Sequence, residues 1–298
     1  MKYTIGIDIG GTKILAGLVD RSWRVLRSNR VPLDRHTPRR FLLSVQRALV
    51  PLVSPDVQAI GVGTTGVVNR RTGVVSGTGN LPRQWRHVQL KKILSEKFRL
   101  PVDVDNDGNC FALAEAVVGQ GRDKKSILGI TIGTGVGAGL VTGKRLYRGR
   151  DNVTEFGHTT VSTAPVKCSC GRTGHLESFV SGPAMTREYK RLTNRTCDPH
   201  EIEDYAKRGR RAAQRVFDQM ARWLGLGLTN AIYSYNPDII VLGGGLSAVR
   251  LLTIPAIRYC RTSLFYGTLA STKIVATRDR HAMPVIGAAL LTQEKKIH

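Results

Sequence analysis

Four side chains suited to zinc lie in one short stretch: His158, Cys168, Cys170 and His175. Thiolate and imidazole donors in a tetrahedral set of four make a closed, structural centre with no open position for a reacting molecule. Packed or solvated histidines are the plainer alternative for His158 and His175. Two carboxylates, Glu155 and Glu177, flank the set in sequence. A closed zinc site would pin both of them without entering the chemistry. His158 has two ring nitrogens, so one can face the metal while the other meets a ligand oxygen.

Glycine turns are the second feature. Asp8 to Lys13 reads DIGGTK. Gly10 and Gly11 let backbone amides approach a phosphate closely, and Thr12 adds a hydroxyl before Lys13. Asp8 suits Mg²⁺, directly or through water. An ordinary hairpin turn would use the same residues. Gly133, Thr134 and Gly135 form a second such turn, and Gly243, Gly244 and Gly245 a third. Three turns at strand ends fit a nucleotide held between two lobes, with Gly244 and Gly245 admitting the adenosine. Asn106 to Cys110 reads NDGNC at a strand-to-helix junction. Asp107 there is either a helix cap or a general base that takes the proton from a sugar hydroxyl as it attacks phosphorus.

Elements must position these groups. Tyr3 to Ile9 alternates like a strand, and Ile14 to Asp20 reads as its return. A third strand is predicted over Trp23 to Pro32, and a helix over Arg39 to Val50. Shorter strands are expected at Ile60 to Gly63 and Val102 to Val104. Helices follow at Leu90 to Phe98 and Gly108 to Val118. The opening pattern then returns: LGITIGTGVGAGLV at 128–141 resembles IGIDIGGTKILAGLV at 5–19. Two such hairpins roughly 120 residues apart suggest a duplicated α/β unit. Ala213 to Leu228 has helical spacing, and Ile239 to Leu242 is a short buried strand. A strand at Lys273 to Ala276 and a helix from Val285 to Gln293 complete the pattern.

The 298 residues fit two domains, and 41% hydrophobic content supports globular packing. No apolar run is long enough to span a membrane, and a soluble cytoplasmic protein is expected. Five cysteines with one close pair suit a reduced compartment and a metal rather than a disulfide framework. The formal charge of +23 would attract nucleic acid, anionic membrane or phosphorylated ligands. The cations are scattered, in short clusters such as Arg208 to Arg211, with no basic arm. That argues against nucleic acid as the main partner.

Taken in order, DIGGTK, NDGNC, IGTGVGAG, EFGH, CSCGRTGHLE and DIIVLGGGLS resemble the bacterial sugar kinases of the ROK family. The likeness runs from Ile5 to Leu291. It implies a duplicated actin/hexokinase-like (ribonuclease H-like) α/β fold, two lobes with a cleft between them. A small lobe of residues 1–107 with 284–298 and a large lobe of 108–283 would follow. It also implies phosphorylation of a hexose by MgATP at the 6-hydroxyl, and a homodimer. The sugar would be N-acetylglucosamine, fructose or glucose. On these matches Asp107 is the catalytic base. Gly66, Asn80, Asn106, Glu155, His158 and Glu177 line the sugar. Asp8, Gly10, Gly11, Thr12 and Lys13 belong to the first phosphate and Mg²⁺ region, Gly133 to Gly135 to the second, and Gly244 and Gly245 to adenosine. His158, Cys168, Cys170 and His175 fall on the zinc positions.

Three departures stand out. His175 replaces the usual cysteine and keeps zinc within reach. The sugar loop reads GTTG at Gly63 to Gly66, where proline is commoner before the last glycine. Gly108 stands where alanine is usual. The family also holds sugar-responsive repressors, which carry an added DNA-binding domain; the first strand begins by Tyr3, so none is expected here. A non-catalytic sugar-binding relative is a further reading, and the intact Asp8 and Asp107 oppose it.

Overall fold

The computed structural model describes residues 2–76, 87–150, 154–265 and 267–294. Two compact units divide the chain. One holds Met1–Gly129, Ala138–Thr154 and Arg278–His298; the other holds Ile130–Gly137 and Glu155–Thr277.

The chain opens with strands β1 (Tyr3–Ile9), β2 (Lys13–Val19) and β3 (Val25–Pro32), followed by helix α1 (Pro38–Leu49). Thr37 caps α1 by accepting from the Arg40 amide, and Pro38 fits the first helical turn, where its missing N–H is not needed. Phe41, Val45, Ala48 and Leu49 fall on one face and are buried. Next come β4 (Val57–Thr64), the short strands β5 (Val67–Asn69), β6 (Val74–Ser76) and β7 (Val88–Gln89), helix α2 (Leu90–Phe98), strand β8 (Val102–Asn106) and helix α3 (Asp107–Val117). β5, β6 and β7 form a small sheet of their own.

The second half repeats the plan with β9 (Ser126–Ile132), β10 (Val136–Thr142) and β11 (Arg145–Tyr147). Helices α4 (Gly182–Thr193), α5 (Pro199–Lys207) and α6 (Arg211–Tyr235) lead to β12 (Ile239–Gly243), α7 (Arg250–Ser263), β13 (Lys273–Ala276) and α8 (Ala282–Leu291). The first large sheet runs β3-β2-β1-β4-β8 and the second β11-β10-β9-β12-β13, the same order twice. In the first, β2 returns antiparallel to β1, while β4 and β8 add in parallel. β12 and β13 are likewise parallel. β1 and β9 share one burial pattern along all seven residues. The duplication read from the repeated glycine hairpin is therefore a property of whole sheets.

The core of the first unit is mainly aliphatic, built from Ile5, Ile7, Ile60, Val62 and Val104 on the sheet with Phe41 and Leu94 from the helices. Helix α8, buried from Val285 to Leu291, lies against β1, β4 and α3. Its approach needs glycine in the strands beneath: a Cβ on Gly61 would meet the Ala288 carbonyl oxygen at 1.7 Å. Among the described residues, no helix is long and apolar enough to cross a membrane.

Candidate functional site

In the first unit the candidate residues gather where β1 and β8 end. The turn after β1 closes with a Gly10 amide to Lys13 carbonyl hydrogen bond of 3.1 Å. Thr12 and Lys13 are exposed. Asp8 keeps part of its surface open, yet burial first and then the Asp107 charge, against the pull of Lys13, raise its carboxyl from the usual 3.8 to about 7. Desolvation, then the Arg30 charge, lowers Lys13, against the pull of Asp8. Two carboxylates from different elements thus share one region, an arrangement that a divalent cation would relieve.

The junction between β8 and α3 corrects one expectation. Asn106, not Asp107, is the helix cap: its Oδ1 accepts from the Gly108 amide at 2.8 Å, from an extended backbone. Asp107 is the first residue of α3, and its Oδ1 accepts from the same amide at 2.9 Å. Asn106 also donates through Nδ2 to the Gly66 carbonyl at 3.2 Å. This ties the GTTG loop, where Gly66 turns at φ 101°, to the base of Asp107. Gly108 has a steric reason: a Cβ there would stand 2.7–2.9 Å from backbone atoms of Ala138. Asn80 lies outside the described residues.

The second unit holds the other group. The Gly133 amide donates to the Gly135 carbonyl at 2.9 Å, and the Gly133 carbonyl accepts from the Gly182 amide at 2.8 Å, which anchors the turn to the start of α4. Among the described residues, nothing beyond the adjoining residues lies within 4 Å of a Cβ placed on Gly133 or Gly245. Packing does not require glycine there, so the open space is available to a ligand. Gly244 differs: its φ is +81°, and a Cβ would meet the Ile132 carbonyl oxygen at 2.4 Å. It lets β12 end against β9.

The zinc-type residues come together. One donor atom from each of His158, Cys168, Cys170 and His175 lies within 4.8 Å of all the others. His158 Nδ1 is 3.5 Å from Cys168 Sγ, and His175 Nδ1 is 3.3 Å from Cys170 Sγ. Two thiols and two imidazoles on this scale fit a tetrahedral zinc ion. The other nitrogen of His158, Nε2, faces Glu155 Oε2 at 3.9 Å. Burial raises the Glu155 carboxyl, with Glu177 adding to the rise and His158 opposing it.

Glu177 is buried, and both of its oxygens are engaged by the protein. Oε2 accepts from the Val136 amide at 3.0 Å, directly after the Gly133 to Gly135 turn. Oε1 accepts from Ser169 Oγ at 2.6 Å and from Cys168 Sγ at 3.7 Å. One carboxylate thus joins the cysteine loop to the second glycine turn. Sequence reasoning missed Ser169 and the Val136 amide; the serine is visible only as the middle letter of Cys-Ser-Cys, and a backbone amide carries no residue signal.

The ROK family model matches residues 4–295. The glucokinase of Streptomyces coelicolor is 32% identical over 315 aligned positions, covering 99% of this chain and 98% of that one. The crystal structure of a ROK family glucokinase from Streptomyces griseus, in complex with glucose and AMPPNP, superposes with a TM-score of 0.88 at 32% identity, covering 97% and 98% of the two chains. The xylose repressor of Caldicellulosiruptor bescii is 31% identical, over 68% of this chain and 54% of that protein. With its duplicated sheets and a family match along almost all of its length, the chain belongs to the ROK family.

Proposed function

We propose that this chain is an ATP-dependent hexose kinase acting on the 6-hydroxyl, with glucose as the first sugar to test. The observation that carries the reading is the nearly full-length likeness to a glucokinase solved with glucose and an ATP analogue. The pairing of Asp8 with Asp107 supports it.

In this reading Asp107 takes the proton from the attacking hydroxyl. The Gly108 amide at the α3 N-terminus donates to Asp107 and helps hold it in place. Backbone N–H groups of the two glycine turns donate to the phosphates of ATP, whose charge grows less costly as it is spread over fixed donors. Mg²⁺, with Asp8 as its protein partner, would neutralise phosphate charge. Glu155 and the Nε2 of His158 face the sugar hydroxyls. A zinc ion on His158, Cys168, Cys170 and His175 would be structural, fixing the loop that carries these groups. His175 replaces a thiolate by a neutral donor, which leaves the centre less negative than three cysteines and one histidine would.

A regulatory reading is kept because a repressor is among the relatives and the charge is high. We also propose a homodimer. Leu251, Ile254 and Tyr259 are exposed on α7, and Phe265, 73% exposed, meets the Tyr233 ring at a tilt with ring centroids 5.7 Å apart. Apolar surface of this kind is often covered by a partner, and sedimentation equilibrium measures whether it is.

ADP release under MgATP, followed with glucose, N-acetylglucosamine, N-acetylmannosamine, fructose, mannose and allose, tests the kinase. Turnover on one sugar is expected to exceed the rest. Asp107→Asn should lower kcat by about 10²–10⁴-fold while sugar binding persists. Full turnover by that variant would remove Asp107 from the mechanism, and silence across the panel would favour the regulatory reading.

A further inference from the structure

The first unit contains a cavity of about 860 Å³ that shares no lining residue with the candidate kinase site. Its size falls in the range of small-ligand pockets, roughly 300–1,000 Å³. Most of its lining residues are charged. Six cations line it, Arg70, Arg71, Lys91, Arg145, Arg148 and Arg150, against the two carboxylates Asp103 and Glu294.

The floor is ordered. Arg148 holds Asp105 Oδ2 through Nη2 at 2.7 Å and through Nε at 3.0 Å, and reaches Glu294 Oε2 at 2.7 Å. Arg70 holds Asp103 at 2.9 Å and lies 3.6 Å from Glu294. Lys91 shares the same Asp103 oxygen at 3.3 Å. Each lining carboxylate is thus divided between two cations. Both floor arginines remain about one-fifth exposed. Burial disfavours the charge on Arg148, but Glu294 and Asp105 outweigh it and keep the guanidinium charged. Arg71, Arg145 and Arg150 stand exposed above this floor.

With Asp105 counted beside Asp103 and Glu294, six positive groups meet three negative ones among the described residues, an excess of three at the cavity. A single small anion would answer only part of that. Guanidinium groups match phosphate oxygens in pairs, and side chains fixed in advance lose little freedom on binding. Duplex nucleic acid requires a stripe of cations along an open surface, whereas these cations converge on one concavity. We propose that the cavity binds a small ligand carrying two or more phosphate groups, either a free oligophosphate or a multiply phosphorylated small molecule. The inference goes beyond the kinase reading and is tested by binding alone.

The experiment is calorimetry on the full chain at 150 mM NaCl, with tripolyphosphate as probe and inorganic phosphate as control. Excess AMPPNP is included to occupy a nucleotide site. One tripolyphosphate per chain is expected in the presence of AMPPNP. The variant R71Q/R145Q/R150Q should bind it at least about tenfold more weakly, since each charge-assisted contact is strong. The control R208Q/R210Q/R211Q removes the same charge elsewhere and should bind as the parent does. Circular dichroism checks that each variant is folded. A sugar bisphosphate run beside tripolyphosphate separates the two sources; tight binding of either supports the site. Equal losses in the two triple variants would reduce the effect to overall charge. Displacement by AMPPNP would place it in the nucleotide site. Tighter competition by a DNA duplex would assign the surface to nucleic acid. Each of these three results overturns the proposal.

Discussion

Asp8 is the residue whose ionisation the fold alters most plainly. Its carboxyl is raised to about 7 by burial and by Asp107, so the folded chain holds a proton that the unfolded chain has lost above about pH 4. Its contribution to stability is therefore fully present below its ordinary value of 3.8 and is lost as pH rises towards 7. At one pH unit per 1.36 kcal/mol, the loss is at most about 4 kcal/mol. In metal-free protein, Asp8→Asn should raise the melting temperature relative to the parent at pH 8 and leave it nearly unchanged at pH 4. Mg²⁺ should narrow the gap at pH 8 by stabilising the parent alone. A gap that is the same at both pH values would show that Asp8 titrates normally.

Glu177 argues a second case at the same scale. With one oxygen on the Val136 amide and the other on Ser169, it is a positioning residue between the cysteine loop and the glycine turn. Glutamine would turn an N–H₂ group towards a donor on one side or the other. Zinc affinity in Glu177→Gln should fall about 10–100-fold, as when other outer partners of metal ligands are removed. Competition with a chromogenic chelator reads this directly, and unchanged affinity would break the link.

At the scale of elements, the α3 N-terminus sets the geometry of Asp107. A methyl group on Gly108 would press on the Ala138 backbone of β10, so α3 must shift to accept it. Gly108→Ala should cost about 1–3 kcal/mol in denaturant unfolding and lower kcat more than it changes sugar affinity. A variant as stable as the parent would mean that α3 has slack at its start. Legibility in sequence followed element length and chemistry. Leu90–Phe98 and Lys273–Ala276 have the bounds their spacing predicts. β5, β6 and β7, at three, three and two residues, are too short for alternation to register. The spacing over α4, α5 and α7 does not by itself predict helices. Yet α5 carries a full capping box, with Asp198 accepting from Glu201 N and Glu201 answering the Asp198 amide. That signal was present in the letters Asp-Pro-His-Glu. The zinc-type cluster was legible because Cys and His are few and closely spaced. The cap at Asn106 was not, because Asn and Asp are equally good caps and stand side by side.

For the whole molecule, the formal charge of +23 acts on the compact state as self-repulsion. The carboxylates that could offset it are partly concentrated: Asp103, Asp105 and Glu294 are all bound within one network with Arg70 and Arg148. Most other cations face solvent, where salt screens them over about 8–10 Å. Stability should therefore rise from low salt to 300 mM NaCl, opposite to a fold held mainly by surface ion pairs. Sulfate at equal ionic strength should raise it further, since it strengthens burial by exclusion from the protein surface and can lodge among clustered arginines. In R71Q/R145Q/R150Q the excess gain from sulfate over chloride should shrink, while the chloride effect itself remains. Melting curves across the two salts separate these contributions. A melting temperature that falls with added NaCl would mean that attraction between surface pairs, not repulsion among the surplus cations, dominates the electrostatics of this fold.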